Sequence, residues 1–201
     1  MADSTKKRLI VGISGASGAI LGIEILKAMQ LFADWETHLV ISESGSRTIV
    51  HETPYSPREV AALADRSHAP ADIGASIASG TFKTEGMVVA PCSMNTLGAV
   101  AGGLSTNLLL RAADVVLKER RKLVLLARET PLSPVHVRNL ELVLSYGAIV
   151  MPPVMTFYHR PQTIDDMVRH MVGKVLDLFD LELPGLKRWD GEGGSPGESV
   201  S

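Results

Sequence analysis

One cysteine, four phenylalanines, three tyrosines and two tryptophans are all that 201 residues carry of those types. With Cys92 alone, no disulfide forms within the chain, and a reducing compartment is expected. Aromatic residues at 4% are too few for the stacking platforms of a single-stranded nucleic-acid binder. A basic excess is missing too. The formal net charge is −2, whereas nucleic-acid-binding domains carry a positive face. No apolar run approaches the roughly 18 residues that span a membrane. The start, "MADSTKKRLIVG", lacks the long apolar core and small-residue cleavage site of a signal peptide. The six histidines show no metal-ligand spacing, so no metal is expected. These absences predict a cytoplasmic globular protein with neither nucleic acid nor membrane as partner.

What is present is a repeated alternation. The runs "RLIVGI", "THLVIS", "GMVVAP", "KLVLLA" and "AIVMPP" are short, apolar and bounded by Gly, Pro, Ser or charge. Such runs suit strands buried on both faces of a parallel sheet. Helical patterns lie between them. In "TIDDMVRHMVGKVLDLF" an apolar stripe runs through Ile164, Met167, Val168, Met171, Val172, Val175, Leu176 and Phe179, behind Thr163 as N-cap. In "SPVHVRNLELVLSYGA" Ser133 caps, Pro134 takes the first helical position and Gly147 ends the segment. The alternation predicts a three-layer α/β/α sandwich around a mostly parallel, Rossmann- or flavodoxin-like sheet. Residues 1–189 read as one domain. The tail 190–201, "DGEGGSPGESVS", is small, polar and glycine-rich and predicts disorder.

The stretch "RLIVGISGASGAILGIEILKAM" reads as strand, tight loop, helix. A loop of that kind presents backbone N–H groups and a positive helix end to an anion, and Ser14 and Ser17 add hydroxyl donors. A Walker A loop is excluded, because Gly18 is followed by Ala19 and Ile20 rather than Lys-Ser/Thr. The dinucleotide fingerprint fails in spacing, since the glycines fall at 12, 15 and 18. Glu43, after the second run, leaves a ribose contact open. The density of serines favours a flavin or another mononucleotide, and flavodoxin-like sheets hold FMN at such a strand end.

Ligands of open α/β sheets bind beyond the carboxyl ends of the strands. Those ends supply Ser42, with Glu52 about ten residues on, and "APCSMNT", where Pro91 is expected to break the strand and Ser93 to cap a helix. They also supply Arg128 with Glu129, then Tyr158, His159 and Arg160. Arg128 and Glu129 either pair with one another or serve separate ligands; adjacent residues on a strand point to opposite faces, which favours the second. Arg111 and Lys118 lie two turns apart on one helix face, where a salt bridge such as Arg111 with Asp114 is the default. Cys92 reads as a packed small residue rather than a nucleophile.

Taken together, "GISGASGAILG", "HET", "PCSMNTLGAVAGG", "RAADVVLKERRKLVLLARETPLSPVHVRNLELVLSYGAIVMPP" and "FYHRPQTIDDMVRHMVGKVLD" resemble the UbiX-like flavin prenyltransferases. This family was formerly described as phenylacrylic acid or 3-octaprenyl-4-hydroxybenzoate decarboxylases. The likeness runs from Arg8 to Trp189. It implies an enzyme that joins the dimethylallyl group of dimethylallyl monophosphate to N5 and C6 of reduced FMN, releasing phosphate. The product, prenylated FMN, serves a UbiD-type decarboxylase. Members are homododecamers built from trimers, with the flavin near subunit contacts and no metal required.

By the same resemblance Gly15, Ala16 and Ser17 form the flavin-binding turn, with Ser17 near N5. Ser42, Ser93, Met94, Asn95, Thr96 and Arg128 are further FMN contacts, and Glu52 works with Ser17 in handling protons. Arg111, Lys118, Glu129, Tyr158 and Lys174 surround the prenyl phosphate, with Trp189 as an aromatic near the same pocket. Ser17, Glu52, Glu129 and Lys118 are the expected catalytic residues. The chain departs from many relatives at Lys174, where they carry arginine; lysine keeps the charge and loses the two-pronged phosphate grip. Two alternatives stand beside this reading. One is a non-catalytic FMN-binding accessory subunit or flavin carrier of an aromatic acid decarboxylase. The other is a flavin-dependent decarboxylase of cysteinyl substrates, for which His51 is the nearest candidate histidine.

Overall fold

The short apolar runs become strands, as β-branched segments buried on both sides should. The computed structural model describes residues 6–189, so the tail expected at 190–201 lies outside the described residues. The chain divides after Pro153 into two compact units. In the first, the strands are β1 (Lys7–Ile13), β2 (Trp35–Ile41), β3 (Arg66–His68), β4 (Gly86–Cys92), β5 (Lys122–Ala127) and β6 (Ile149–Val150). They form one parallel sheet in the order β3-β2-β1-β4-β5-β6. Its helices are α1 (Ala19–Met29), α2 (Glu43–Glu52), α3 (Pro57–Ala61), α4 (Met94–Ala101), α5 (Leu108–Lys118) and α6 (Pro134–Ser145), with a 3-10 turn at Ser76–Ala78.

Two neighbouring residues of β1 show that helices cover both faces. A methyl group added to Gly12 would meet Leu109 of α5, whereas the Ile13 side chain lies against Gly22 of α1. Successive strand residues point to opposite faces, so α1 and α5 flank the sheet in the expected three layers. Gly22 is required there, because a Cβ would stand 2.3 Å from the Ala90 carbonyl oxygen. On the α5 side, Ile10, Met87, Val89, Leu123 and Leu125 pack with Leu108, Leu109, Ala112 and Val116 in a buried core.

Two expectations need correction, and one strand was not foreseen. Pro91 does not break its strand. β4 runs on to Cys92, with its pairing to β5 shifted between Val89 and Cys92. A proline donates no ladder hydrogen bond, so it fits where the pairing is irregular. β6 is two half-buried residues at the sheet edge rather than a strand buried on both faces. β3 has no apolar signature; "RSH" is held by backbone pairing to β2 and by the His68 ring stacked on His38.

The second unit contains α7 (Ile164–Asp177). Thr163 caps it as expected, accepting from Asp166 N at 3.1 Å while the Asp166 carboxylate accepts from Thr163 N at 3.0 Å. Met171, Val172, Val175, Leu176 and Phe179 are buried. Ile164 is 78% exposed, so the packed stripe starts one turn later than the periodicity predicts.

Candidate active site

The strand order reverses between β1 and β4, and a parallel sheet opens a crevice at the carboxyl ends of the strands there. Three helices begin at that edge, each with its own cap. Ser42 Oγ accepts from Gly45 N at 3.0 Å, Ser93 Oγ from Thr96 N at 3.2 Å, and Asn107 Oδ1 from Leu110 N at 3.0 Å. Their first turns line one cleft of about 470 Å³, together with Gly15 and Glu129. The first amides of a helix have no partner within it. Here the caps take the third amide of each, which leaves those of Glu43 and Ser44, and of Met94 and Asn95, for a ligand. Three positive helix ends on one cleft favour an anion. Met94, Leu109 and Leu110 give it an apolar wall beside the donors. Of its two carboxylates, Glu43 pairs with Arg47, and Glu129 accepts from Thr130 N at 3.0 Å.

The residues just past β1 hold these helix starts in place. Gly15 lacks a Cβ because one would lie 2.3 Å from Ser44 Cβ, and a Cβ on Gly45 would lie 2.4 Å from the Ile13 carbonyl oxygen. The first turn of α2 therefore rests directly on the end of β1. Ser14 ties the same strand end to α4. Its hydroxyl donates to Pro91 O at 2.9 Å and accepts from Ser93 N at 2.8 Å, at 1% exposure. The expectation that Ser14 offers its hydroxyl to a ligand is thereby corrected. Ser14→Ala leaves the Ser93 amide unpaired inside the protein, at a cost of about 1–3 kcal/mol. Thermal unfolding measures it, and an unchanged midpoint would remove the brace from the account.

The start of α1 is also already taken. Gly18, in the left-handed region at φ 103°, precedes the helix, and Glu52 Oε2 accepts from Gly18 N at 2.7 Å and Ala19 N at 3.2 Å. The anion at this helix end is the protein's own carboxylate, so these amides are not free for a ligand. Partial burial pushes the Glu52 carboxyl upward, but hydrogen bonds from the Ser17 hydroxyl and the two amides, with the charge of Arg128, hold it below its ordinary value. Cys92 is fully buried, and burial pushes its thiol up to about 12. It is a packing residue. Among the described residues no cluster of His, Cys, Asp and Glu is placed to hold a metal ion, and no helix is long and apolar enough to cross a membrane.

The Flavoprotein family model matches residues 1–176. The flavin prenyltransferase UbiX of Thauera aromatica is 54% identical over 184 residues, covering 92% of this chain and 94% of that protein. This chain belongs to the UbiX-like flavin prenyltransferases. Two solved structures of the family match it closely. One is the dodecameric FMN-dependent UbiX-like decarboxylase of Escherichia coli O157:H7, with TM-score 0.90 and 53% identity, over 92% of this chain and 100% of that one. The other is AnUbiX (PadA1) in complex with FMN and dimethylallyl pyrophosphate, with TM-score 0.91 and 48% identity, over 93% and 99%.

In this UbiX-like chain Gly15, Ser42, Ser93, Met94, Asn95, Thr96 and Glu129 come together on the cleft. Ala16 and Ser17 continue the turn from Gly15, with Ala16 N donating to Ser14 O at 3.0 Å. Arg128 donates its backbone N–H to Cys92 O at 3.1 Å. Arg111 and Lys118 do not line the cleft. Arg111 pairs with Asp114 at 2.8 Å and donates to Ala78 O at 3.3 Å, and Lys118 pairs with Glu119 beside Gly80. Tyr158, Lys174 and Trp189 belong to the second unit, where the Tyr158 and Trp189 rings lie 6.0 Å apart and Lys174 is exposed on α7. Ser44, Asn107, Leu109 and Leu110 line the cleft without having been singled out from the sequence. An asparagine directly before the amphipathic "LLLRAADVVLK" was a readable cap signal.

Proposed function

We propose that this chain is a flavin prenyltransferase. It joins the dimethylallyl group of dimethylallyl monophosphate to N5 and C6 of reduced FMN, releases phosphate and delivers prenylated FMN to a UbiD-type decarboxylase. The observation that carries this reading is the convergence of three helix starts and an apolar wall on one cleft, in a chain about half identical to named flavin prenyltransferases. A donor-rich, positive rim suits a phosphate and an apolar wall suits a flat ring, so the residues fit FMN. Reduced FMN supplies the nucleophilic N5 and C6. The amides at the starts of α2 and α4, with Ser42, Ser93, Asn95 and Thr96, bind and orient the flavin. Ser17 and Glu52 move the N5 proton, and Glu129 serves the departing phosphate. Protons are released at N5 and C6 and taken up by the phosphate and the allylic chain, so the reaction balances without a redox partner.

Arg111 and Lys118 stand off the cleft of their own chain, and the Escherichia coli relative is a dodecamer. This supports a homo-oligomer, a dodecamer by analogy, in which these cations serve the prenyl phosphate at the cleft of another copy. Residues 1–189 act as one flavoprotein domain, in the cytoplasm and without a metal. The test is anaerobic. Purified protein is mixed with reduced FMN and dimethylallyl monophosphate, and the extracted flavin is weighed by mass spectrometry. A flavin heavier by one dimethylallyl group is expected. Unmodified FMN released from a folded, flavin-loaded oligomer would replace the enzyme with a flavin carrier.

A further inference from the structure

The second unit contains a cluster of rings that the proposed chemistry uses only in part. His159 and His170 stack with centroids 4.3 Å apart and planes at 11°. Tyr158 meets His170 edge to face at 5.4 Å, and its hydroxyl lies 3.1 Å from His170 Nε2. His170 is 4% exposed. Its other nitrogen, Nδ1, is buried and has no hydrogen-bond partner among the described residues.

These contacts decide where the imidazole proton resides. Burial first, then the charges of His159 and Lys174, hold His170 below the usual histidine range against the pull of Asp177, so the ring is neutral near pH 7. A neutral imidazole carries one N–H and one lone pair. A buried N–H without an acceptor is among the rarest arrangements in folded proteins, and leaving a donor unsatisfied costs its desolvation. The hydrogen therefore belongs on the nitrogen that has a partner, Nε2, and the bare lone pair on Nδ1. His170 then donates and the Tyr158 oxygen accepts. The phenol keeps its own hydrogen for a second acceptor, while the stacked His159 ring resists the flip that would exchange the two nitrogens.

We propose that His170 is a positioning residue: as its Nε2–H tautomer it holds Tyr158 by donating to the phenol oxygen, so that the Tyr158 O–H serves as a donor to the phosphate of the allylic substrate. This rests on the reading of Tyr158 as a phosphate-binding residue in a flavin prenyltransferase. In that reaction Tyr158 gains charge-assisted character as phosphate departs, and His170 keeps the donor aimed without touching the substrate.

The experiment titrates inorganic phosphate calorimetrically into the FMN-loaded protein and assays prenyl transfer on the same samples. The variants are His170→Gln, whose amide N–H stands near the place of Nε2–H, and His170→Leu, which has no donor, each also combined with Tyr158→Phe. His170→Leu is expected to weaken phosphate binding, and raise KM for dimethylallyl monophosphate, by about tenfold with FMN affinity retained. His170→Gln stays within about threefold, and the two histidine variants no longer differ once Tyr158 is phenylalanine. Absence of phosphate binding by the native protein, equal damage from Gln and Leu, or a Gln–Leu difference that persists with Tyr158→Phe overturns the assignment. If the phosphate pattern holds while no flavin is prenylated, the role of His170 stands and the enzymatic reading falls. If flavin is prenylated without the pattern, the enzymatic reading stands and the role of His170 falls.

Discussion

Lys118→Ala is expected to slow prenyl transfer by about 2.7–4 kcal/mol of barrier, a hundred- to a thousand-fold, while FMN stays bound. Negative charge gathers on the phosphate as the allylic C–O bond breaks, and a cation aimed at it stabilises the transition state more than the ground state. Glu129→Gln is expected to stall turnover comparably, again with flavin retained. What makes the pair informative is where each residue sits. Glu129 lines the cleft formed by its own chain. Lys118 ends α5, whose other end lines that cleft, and at 1.5 Å per residue it lies about 13 Å along the axis from Leu109. That exceeds the span of a lysine side chain, and the ammonium is turned toward Glu119 and Gly80. If another copy supplies the cation, co-refolded mixtures of the two inactive variants regain activity at sites that draw each native residue from a different chain. Mixtures as inactive as their components would place Lys118 and Glu129 in the same chain's site, or Lys118 outside the chemistry.

The difference between these residues also shows what local sequence conveys. β1, β4 and β5 were legible because a strand buried on both faces must be an unbroken apolar run, and Ser93, Ser133 and Thr163 were legible because a cap acts within three residues of itself. β3 was not, since its three residues are polar and what holds them is backbone pairing to β2 together with the His68 ring, 2.9 Å from His38 thirty residues away in the chain. Ser14 was misread for a related reason. Its partners at Pro91 and Ser93 lie 77 and 79 residues away, and nothing beside it in the chain marks it as a brace rather than a ligand donor. The glycine loop was legible as a loop, yet the tenant of its helix end is Glu52, which only the fold brings there. Resemblance named Glu52, Arg111 and Lys118 as functional. It did not say that the first joins the loop while the other two pair with Asp114 and Glu119 and do not line the cleft of their own chain.

Glu52→Gln is expected to reduce turnover by about 10²–10⁴-fold, the usual contribution of a positioned acid or base, and to change how stability depends on pH. The carboxylate accepts from two helix amides and from Ser17, with Arg128 adding favourable charge. All of these favour the ionised form and outweigh the opposing effect of burial, so the folded-state value lies below the ordinary 4.5. A group depressed in this direction stabilises the fold fully above its unfolded value, and the stabilisation is lost as pH falls through the folded value. The native protein should therefore exceed Glu52→Gln in unfolding temperature near neutral pH, with the gap closing as pH is lowered from about 5 toward 3. Glutamine can still accept from one amide, so FMN binding is expected to survive while proton movement through Ser17 does not. A gap that stays constant across that range would mean that Glu52 carries no ionised role at the helix start, and Ser17 would then need a different base. A closed gap with full turnover in the variant would keep the electrostatic cap and remove Glu52 from the chemistry.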